Sequence, residues 1–214
     1  MRPKWIARAL LSRRWPESLK STKRRWTTFF GSPQRSAPES AFRERKRISA
    51  MHWPNERKVE ELIAFYGDPV LHSSVDPGWE RENIVDLAPP YAMRYSWGPP
   101  VTRLRFHRKC RDAFGEALLA IKRLYGSQKN IEAHRLHLTG GSLMVRLMRG
   151  STKRWSIHSY GAALDIDPEH NPFPSKWRPG FIPLEAARAF QDCGLIWRGA
   201  EGDCDPMHFQ ASTR

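Results

Sequence analysis

The chain has 214 residues and 40% of them are hydrophobic, which is enough for one domain with a substantial core plus an extension. Its three cysteines are too few and too scattered for a disulfide framework, and an odd number suits a reducing compartment. The net charge of +14 would suit a nucleic-acid-binding protein, but residues 1–50 hold 14 Lys and Arg against 3 Asp and Glu. Because the rest of the chain is only mildly basic, we expect no nucleic-acid partner for the folded domain.

Residues 1–50 are predicted to form a basic, disordered extension, since they carry clustered Arg and Lys and a stretch rich in Ser and Pro at 31–40. Three interpretations stay open. The segment is a solvated tail, or it is upstream sequence read in frame before a true start at Met51, or it is a cationic arm that touches an anionic polymer or a membrane. Arg8 interrupts the apolar residues near the start, so we expect no secretion signal, and no run reaches the roughly 18 apolar residues of a membrane span.

The domain is predicted to cover residues 51–214 and to begin with helices. Apolar residues recur at helical spacing over residues 59–65, and the Gly-Asp-Pro sequence at 67–69 ends that helix. Residues 67–100 are rich in turn-forming residues and predict a long loop with short extended pieces, such as residues 83–87. A period of 3.6 over residues 105–125 predicts the longest helix, which ends at Gly126.

The second half of the domain is predicted to be mainly strands. Residues 134–139, 143–148 and 162–167 predict a β region, and residues 207–212 predict a final strand. Between them, residues 183–193 predict a short helix with Pro at its start and Gly after its end. The order of elements favours an α+β domain in which helices pack on a small antiparallel sheet.

Two polar segments combine residues that can bind a metal. Catalytic zinc takes three ligands from His and carboxylate side chains and keeps one position open. If residues 162–167 form a strand, Leu164 and Ile166 face the core and Asp165 faces a cleft. Gly161 allows the backbone to turn between His158 and this strand. A second strand that begins at His208 would complete a site of His158, Asp165 and His208.

Spacing alone leaves open that these residues bind no metal, because an isolated His or Asp on a strand is usually a surface residue or a hydrogen-bonded core residue. Asp205 lies three residues before His208, close enough to reach a metal-bound water without being a ligand. Cys204 could compete for the metal, but three ligands already complete a catalytic set, so we expect it to be a bystander. Asp167 and His170 lie near the ligand strand and are candidates to support the ligands, although exposure to solvent is the simpler explanation for His170.

A longer pattern resembles a known family. It consists of Ser156-x-His158-x-x-Gly161-x-Ala163-x-Asp165-Ile166, followed by Trp197 and then Asp205-x-Met207-His208-Phe209. This pattern is similar to that of the D-alanyl-D-alanine carboxypeptidase and L-alanyl-D-glutamate endopeptidase family, which includes VanY-like and endolysin-like zinc peptidases. The resemblance extends loosely over about residues 52–212, and it implies a fold of the hedgehog and D-Ala-D-Ala peptidase type. The sequence departs from the family in the loop after Trp197, which lacks a second Gly and a second Trp.

The resemblance implies a role for each matching residue. His158, Asp165 and His208 would bind zinc, and Asp205 would be the catalytic acid and base. An upstream Arg of the family polarises the scissile carbonyl, and Arg146 matches it, with Arg149 as its rival. Ser156 and Trp197 would lie on the substrate side of the site.

The resemblance also implies a substrate, namely the stem peptides of bacterial peptidoglycan. The Asp at position 205 and the compact domain favour the endolysin-like branch, and hence cleavage between L-Ala and D-Glu, with D-alanyl-D-alanine carboxypeptidase as the alternative. A zinc-containing module that binds cell wall without catalysis is the rival from another class. We expect a monomer that stays in the cytoplasm until its release, or acts at the cell wall after lysis or non-standard export.

Overall fold

Helices and short strands alternate along residues 52–200 and 202–214, which a computed structural model of the chain describes. The predicted disordered extension of residues 1–50 lies outside the described residues. The helices are α1 (Val59–Tyr66), α2 (Pro77–Asn83), α3 (Arg111–Tyr125), α4 (Gln128–Ala133) and α5 (Leu184–Gln191). The strands are β1 (Val70–Leu71), β2 (Ser74–Val75), β3 (Ile84–Leu87), β4 (Met93–Tyr95), β5 (Pro100–Val101), β6 (Leu104–His107), β7 (Leu138–Gly141), β8 (Ala163–Ile166), β9 (Ile196–Trp197) and β10 (His208–Gln210).

The largest sheet has six strands in the order β5-β4-β7-β8-β10-β9. All its neighbours are antiparallel except β4 and β7, which run parallel, so the expected purely antiparallel sheet is in fact mixed. Phe190 of α5 stacks on Phe209 of β10 with ring centroids 4.0 Å apart, and α5 also packs against α3. Helices therefore cover a small sheet, and the predicted α+β class is confirmed.

The predicted helix over residues 105–125 is wrong at its beginning. It starts at Arg111, and the preceding residues form β6, which pairs antiparallel with β3. Leu104 and Phe106 are fully buried and flank the partly exposed Arg105, which is the alternation of a strand. Over so few residues, this period of two overlaps with the helical period that follows it.

The predicted loop over residues 67–100 contains regular structure that the turn-forming residues concealed. Asp76 begins α2, because its Oδ1 accepts hydrogen bonds from the backbone N–H groups of Gly78 and Trp79 at 2.7 and 3.1 Å. Pro77 occupies the first helical position, where its missing N–H costs nothing. The extended piece predicted at residues 83–87 is confirmed as β3.

Two of the predicted strands in the second half are displaced or absent. Residues 134–139 contain only the beginning of β7, because α4 runs to Ala133 and Arg135 turns the chain with a φ of 58°. Residues 143–148 form no strand and make one isolated bridge, between Leu147 and Trp155. The strands predicted at residues 162–167 and 207–212 are confirmed as β8 and β10, and the helix predicted at residues 183–193 is confirmed as α5, all with shorter bounds.

The first and last described segments of the chain are joined beside this sheet. Asn55 forms a parallel bridge with Thr213, and the backbone N–H of Glu56 donates to the Thr213 carbonyl at 2.8 Å. The buried Trp53 donates its indole N–H to the carbonyl of Gly194 at 2.6 Å. Within the described residues, no helix combines the length and apolar character needed to cross a membrane.

Candidate metal centre

The central strands β8 and β10 bring Asp165 and His208 together. They pair antiparallel with Asp165 directly opposite His208, so the two side chains project from neighbouring positions on one face of the sheet. Phe209 alternates with His208 and turns into the core. This register is what converts two distant residues of the sequence into one site.

His158 reaches the same place from a 3₁₀ turn, Ile157–Tyr160, that immediately precedes β8. The Ser156 hydroxyl caps this turn and accepts a hydrogen bond from the His158 backbone N–H at 3.4 Å. Gly161 ends the turn with a φ of 63°, a left-handed conformation that favours glycine. A Cβ atom there would lie 2.7 Å from Ile84 Cδ1 and 2.9 Å from the backbone nitrogen of His107. The predicted turn at Gly161 is therefore confirmed, and the space around it admits no side chain.

Three donor atoms converge at the end of these elements. His158 Nε2 and His208 Nδ1 lie 3.2 and 2.8 Å from Asp165 Oδ1, and 3.2 Å from each other. The three residues are buried, with relative exposures of 2%, 8% and 8%. Among the described residues, they form the group whose ligand atoms could hold one metal ion.

The outer hydrogen bonds of the two histidines show which nitrogen carries a proton. His158 Nδ1 lies 2.7 Å from the carbonyl of Ser142, and His208 Nε2 lies 3.0 Å from the side-chain carbonyl oxygen of Gln210. Both partners only accept, so these nitrogens are the donors, and the lone pairs of neutral imidazoles lie on His158 Nε2 and His208 Nδ1. Two lone pairs and a carboxylate oxygen thus face one another at about 3 Å, an arrangement that a cation stabilises.

The charges inside this cluster are strongly coupled. Burial disfavours the Asp165 carboxylate, but the charges and hydrogen bonds of His158 and His208 outweigh it and hold the pKa of Asp165 well below its ordinary value. Burial likewise lowers the pKa of His208, whereas the hydrogen bond that Nδ1 donates to Asp165 once it is protonated and the charges of Asp165 and Asp205 raise it, with a net increase. The site therefore holds a buried negative charge that attracts a cation or a proton.

Asp205 lies next to this cluster without being part of it. Its backbone carbonyl accepts from the His208 N–H at 3.1 Å, which places it on the turn before β10. Its Oδ1 is buried and has no hydrogen-bond partner among the described residues. Burial is the main cause that raises the pKa of Asp205, and the Asp165 charge adds to it, while His208 and Arg149 oppose it. An unpaired carboxyl group with a raised pKa is suited to moving protons.

A cavity of about 250 Å³ opens over Asp205 and His208. Arg146, Arg149 and Ser156 line it, so the structure brings both candidate arginines and the candidate serine to the same cleft. The guanidinium of Arg149 lies 4.7 Å from the ring centre of Phe173, which also lines the cavity.

Other candidates from the sequence lie elsewhere or serve other contacts. Trp197 is 6% exposed, donates its indole N–H to the carbonyl of Pro206 at 2.8 Å and does not line the cavity. It supports the turn that carries Asp205, and its expected contact with substrate stays a prediction. Cys204 lines the cavity, but its sulfur is not among the converging donor atoms.

The expectation that Asp167 and His170 support the metal ligands is wrong for Asp167. Its two carboxylate oxygens accept from Arg135 Nε and Nη2 at 2.7 and 2.8 Å, and its φ of 45° turns it out of β8. Asp167 and the exposed His170 instead line a separate cavity of about 410 Å³. Ser142 and Gln210 take the supporting role, and sequence reasoning missed both, although Gln210 shares a strand face with His208.

An α+β fold with a buried His-Asp-His group beside an unpaired carboxyl group defines the class of the site, a candidate metal centre of a hydrolase. Residues 149–211 match the model of a peptidase family described as D-alanyl-D-alanine carboxypeptidase. The matched segment contains the three candidate ligands and Asp205, and it confirms the family resemblance that the sequence motif indicates. Neither the curated proteins nor the solved structures show a match to this chain.

Proposed function

We propose that this chain is a zinc-dependent peptidase that hydrolyses the stem peptides of peptidoglycan. The observation that carries the proposal is the convergence of His158 Nε2, Asp165 Oδ1 and His208 Nδ1 at about 3 Å with both lone pairs directed inward. The family match over residues 149–211 supports a peptidase acting on this class of substrate. Two histidines and one carboxylate are a ligand set used by catalytic zinc sites.

Bound zinc would supply Lewis-acid polarisation of the scissile carbonyl and a water molecule that is acidic near neutral pH. Asp205 is the residue of this chain that we assign to proton transfer. Its unpaired Oδ1 and raised pKa fit a group that takes a proton from the attacking water and delivers it to the leaving amine. It lies beside His208, so it can serve the site without occupying a ligand position.

The cavity also contains donors for the oxyanion that forms when the carbonyl is attacked. Arg146 and Arg149 both line it, and either guanidinium can stabilise developing negative charge. We assign Arg146 this role from the family pattern and keep Arg149 as its rival, because Arg149 is the arginine whose charge acts on Asp205. Ser156 shapes the wall beside His158.

We further propose cleavage between L-Ala and D-Glu, with D-alanyl-D-alanine carboxypeptidase action as the alternative. The Asp at position 205 and the compact domain support the endopeptidase, and the description of the matched family supports the alternative. A wall-binding module that lacks catalysis has no use for an acid and base beside the metal, and Asp205 therefore favours an enzyme. The proposed enzyme acts as a monomer, and contact of the basic N-terminal segment with anionic polymer or membrane stays one of the three interpretations of that segment.

The test is incubation of the purified protein with purified peptidoglycan, followed by mass spectrometry of the released products, with and without a chelator. We expect peptides with a new D-Glu amino terminus, lost when zinc is removed and restored when it is returned. Release of free D-Ala alone would select the carboxypeptidase. Chelator-insensitive hydrolysis would contradict a metal-dependent peptidase.

A further inference from the structure

A chain of polar side chains leads away from the metal centre on the far side of the His208 ring from Asp165. His208 Nε2 contacts Gln210 Oε1 at 3.0 Å, and Gln210 Nε2 donates to Glu56 Oε2 at 3.0 Å. The other carboxylate oxygen of Glu56 accepts from Arg198 Nη1 at 2.8 Å. Four side chains from three distant parts of the sequence therefore form one continuous hydrogen-bonded path.

Gln210, Glu56 and Arg198 line the same cavity as Asp205 and His208. Little of the surface of Gln210 and Glu56 meets solvent, which makes each of their hydrogen bonds consequential. Gln210 is 2% exposed and Glu56 is 8% exposed. A buried carboxylate or amide that lost its partner would carry a desolvation cost, so these groups hold one another in place. Arg198 also lies 3.4 Å from Asp203, which anchors the outer end of the path.

The hydrogen bonds of this path can run in only one direction. A carboxylate without a proton can only accept, so Glu56 requires the NH₂ group of Gln210 on its side. The same NH₂ group donates to the carbonyl of Ser212 at 3.0 Å, which independently fixes the orientation of the amide. The amide oxygen therefore faces His208, and because it too can only accept, the proton of the neutral imidazole lies on Nε2.

We propose that Glu56, acting through Gln210, is a positioning residue that selects the Nε2–H tautomer of His208 and so directs the Nδ1 lone pair toward the metal. The inference rests on the metal centre of the proposed function. Glu56 lies far outside the matched family segment of residues 149–211, and no motif in the sequence indicates it. The segment before α1 therefore contributes to the site in addition to closing the fold.

The first test uses zinc affinity, measured on the full chain by competition with a chelator of known affinity. Glu56→Gln keeps the size of the side chain but can donate as well as accept. It therefore no longer fixes which end of the Gln210 amide faces His208. Gln210→Leu removes the path beside His208. Each substitution should weaken zinc binding by about 10–100-fold, the usual effect of removing an outer partner of a ligand. Glu60→Gln, on the exposed side of α1, is the matched control and should bind zinc like the parent.

A double substitution separates action through Gln210 from a general loss of stability. If Glu56 works through Gln210, Glu56→Gln should add little further loss of zinc affinity in a chain that already carries Gln210→Leu. Additive losses of zinc affinity would show that Glu56 acts by another route and would overturn the proposal. Should Glu56→Gln fail to fold, Glu56→Asp keeps the carboxylate, and comparison with Gln210→Leu still tests the path.

The second test reads the tautomer itself in the metal-free protein, from the ¹⁵N chemical shifts of the His208 ring. At a pH at which the ring is neutral, the parent should show its proton on Nε2, and Gln210→Leu should show a mixture or the Nδ1–H form. This result stands even if the protein proves not to be a peptidase, so failure of the proposed function and failure of this inference are distinguishable. A folded Gln210→Leu protein with an unchanged tautomer and zinc affinity within twofold of the parent would overturn it.

Discussion

Two aspartates of the site carry opposite pKa shifts although burial acts on both in the same direction. The pKa of Asp165 is held well below its ordinary value because two histidines outweigh the effect of burial. The pKa of Asp205 is raised, because burial and the neighbouring negative charge outweigh its cationic neighbours. Environments that separate the pKa values of paired carboxyl groups assign them different tasks. Asp165 is thereby suited to hold a cation, and Asp205 to exchange protons.

The two cavity arginines should be separable by the pH dependence of hydrolysis. The positive charge of Arg149 lowers the pKa of Asp205, so Arg149→Gln should raise that pKa further and move the acid limb of kcat/KM to higher pH. Arg146→Gln is the matched comparison from the same cavity. It should reduce the rate on the plateau and leave the acid limb in place, as expected for a residue that stabilises the oxyanion.

The measurement is a full pH profile of peptide hydrolysis for the parent and both variants at saturating zinc. An acid limb that stays fixed in Arg149→Gln would contradict the electrostatic link between Arg149 and Asp205. A shifted limb in Arg146→Gln with an unchanged plateau would exchange the roles of the two arginines.

At the scale of single residues, the motif residues could be predicted from the sequence, whereas most of their hydrogen-bond partners could not. His158, Asp165, His208 and Asp205 follow from local patterns, since strand alternation and family spacing mark them in the sequence. Gln210 shares the face of His208 and could have been inferred from the same alternation. Glu56 could not, because its link to Gln210 depends on the closure of the fold over a separation of 154 residues.

At the scale of elements, the turn that presents His158 depends on Gly161. An added methyl group would meet Ile84 and the backbone of His107, and it would also occupy a left-handed conformation. Gly161→Ala should lower the free energy of unfolding by about 2 kcal/mol or more, since the strained conformation and the close packing each cost about 1 kcal/mol or above. Gly150 has a φ of 77° and open space around its Cβ position, so Gly150→Ala should cost only about 1 kcal/mol.

Denaturant unfolding of the metal-free proteins, analysed at constant m value, gives both numbers. Equal losses of stability in Gly161→Ala and Gly150→Ala would show that the close approach of β3 and β6 to the turn has no energetic consequence.

Strand β6 ends in His107, which links acid conditions to stability. The residue is fully buried, its Nε2 contacts the Tyr66 carbonyl at 3.1 Å, and its Nδ1 accepts from the Lys109 N–H at 3.1 Å. Burial lowers the pKa of His107 to about 4, and the nearby cations add to this effect. Between about pH 6.5 and pH 4 the unfolded chain binds this proton and the folded chain does not. The free energy of unfolding should therefore decrease as the pH is lowered through this range. His107 should contribute up to about 3 kcal/mol to that decrease.

The check compares the metal-free parent with metal-free His107→Gln, whose side-chain NH₂ can still donate to the Tyr66 carbonyl. The variant should show a shallower loss of unfolding free energy between pH 6.5 and 4. Parallel pH dependences in the two proteins would remove His107 as the cause.

The predicted elements that differ from the structure do so for one physical reason. Short strands such as β6 and β7 form because they pair with segments distant in the sequence. The spacing of apolar residues within a few positions does not reveal such pairing. The predicted helix over residues 105–125 includes the last three residues of β6, and the strand predicted at residues 134–139 begins where α4, which Ser127 caps, has just ended. The body and the end of a long periodic helix such as α3, and a strand preceded by glycine such as β8, can be predicted because their signals are local.

At the scale of the whole molecule, the two ends of the described chain meet beside the cavity of the metal centre, where Glu56 and Arg214 both line it. Thr213 bonds to Pro54 and Glu56, and Trp53 is buried. We predict that a chain starting at residue 51 keeps its zinc content and its hydrolysis of soluble peptides. A chain starting at residue 58 should lose stability and zinc, because it lacks Trp53 and Glu56. Loss of folding in the longer chain would place the domain boundary further upstream.

The most direct measurement determines zinc content and stem-peptide hydrolysis on the same samples of the parent protein and of Asp205→Asn. The account predicts about one zinc per chain in both proteins, because Asp205 lies outside the group of His158, Asp165 and His208. Hydrolysis should be clear in the parent and about 10²–10⁴-fold slower in the variant, the usual loss on removing a general acid and base. A well-folded parent without zinc, or a variant with full activity, would contradict the account.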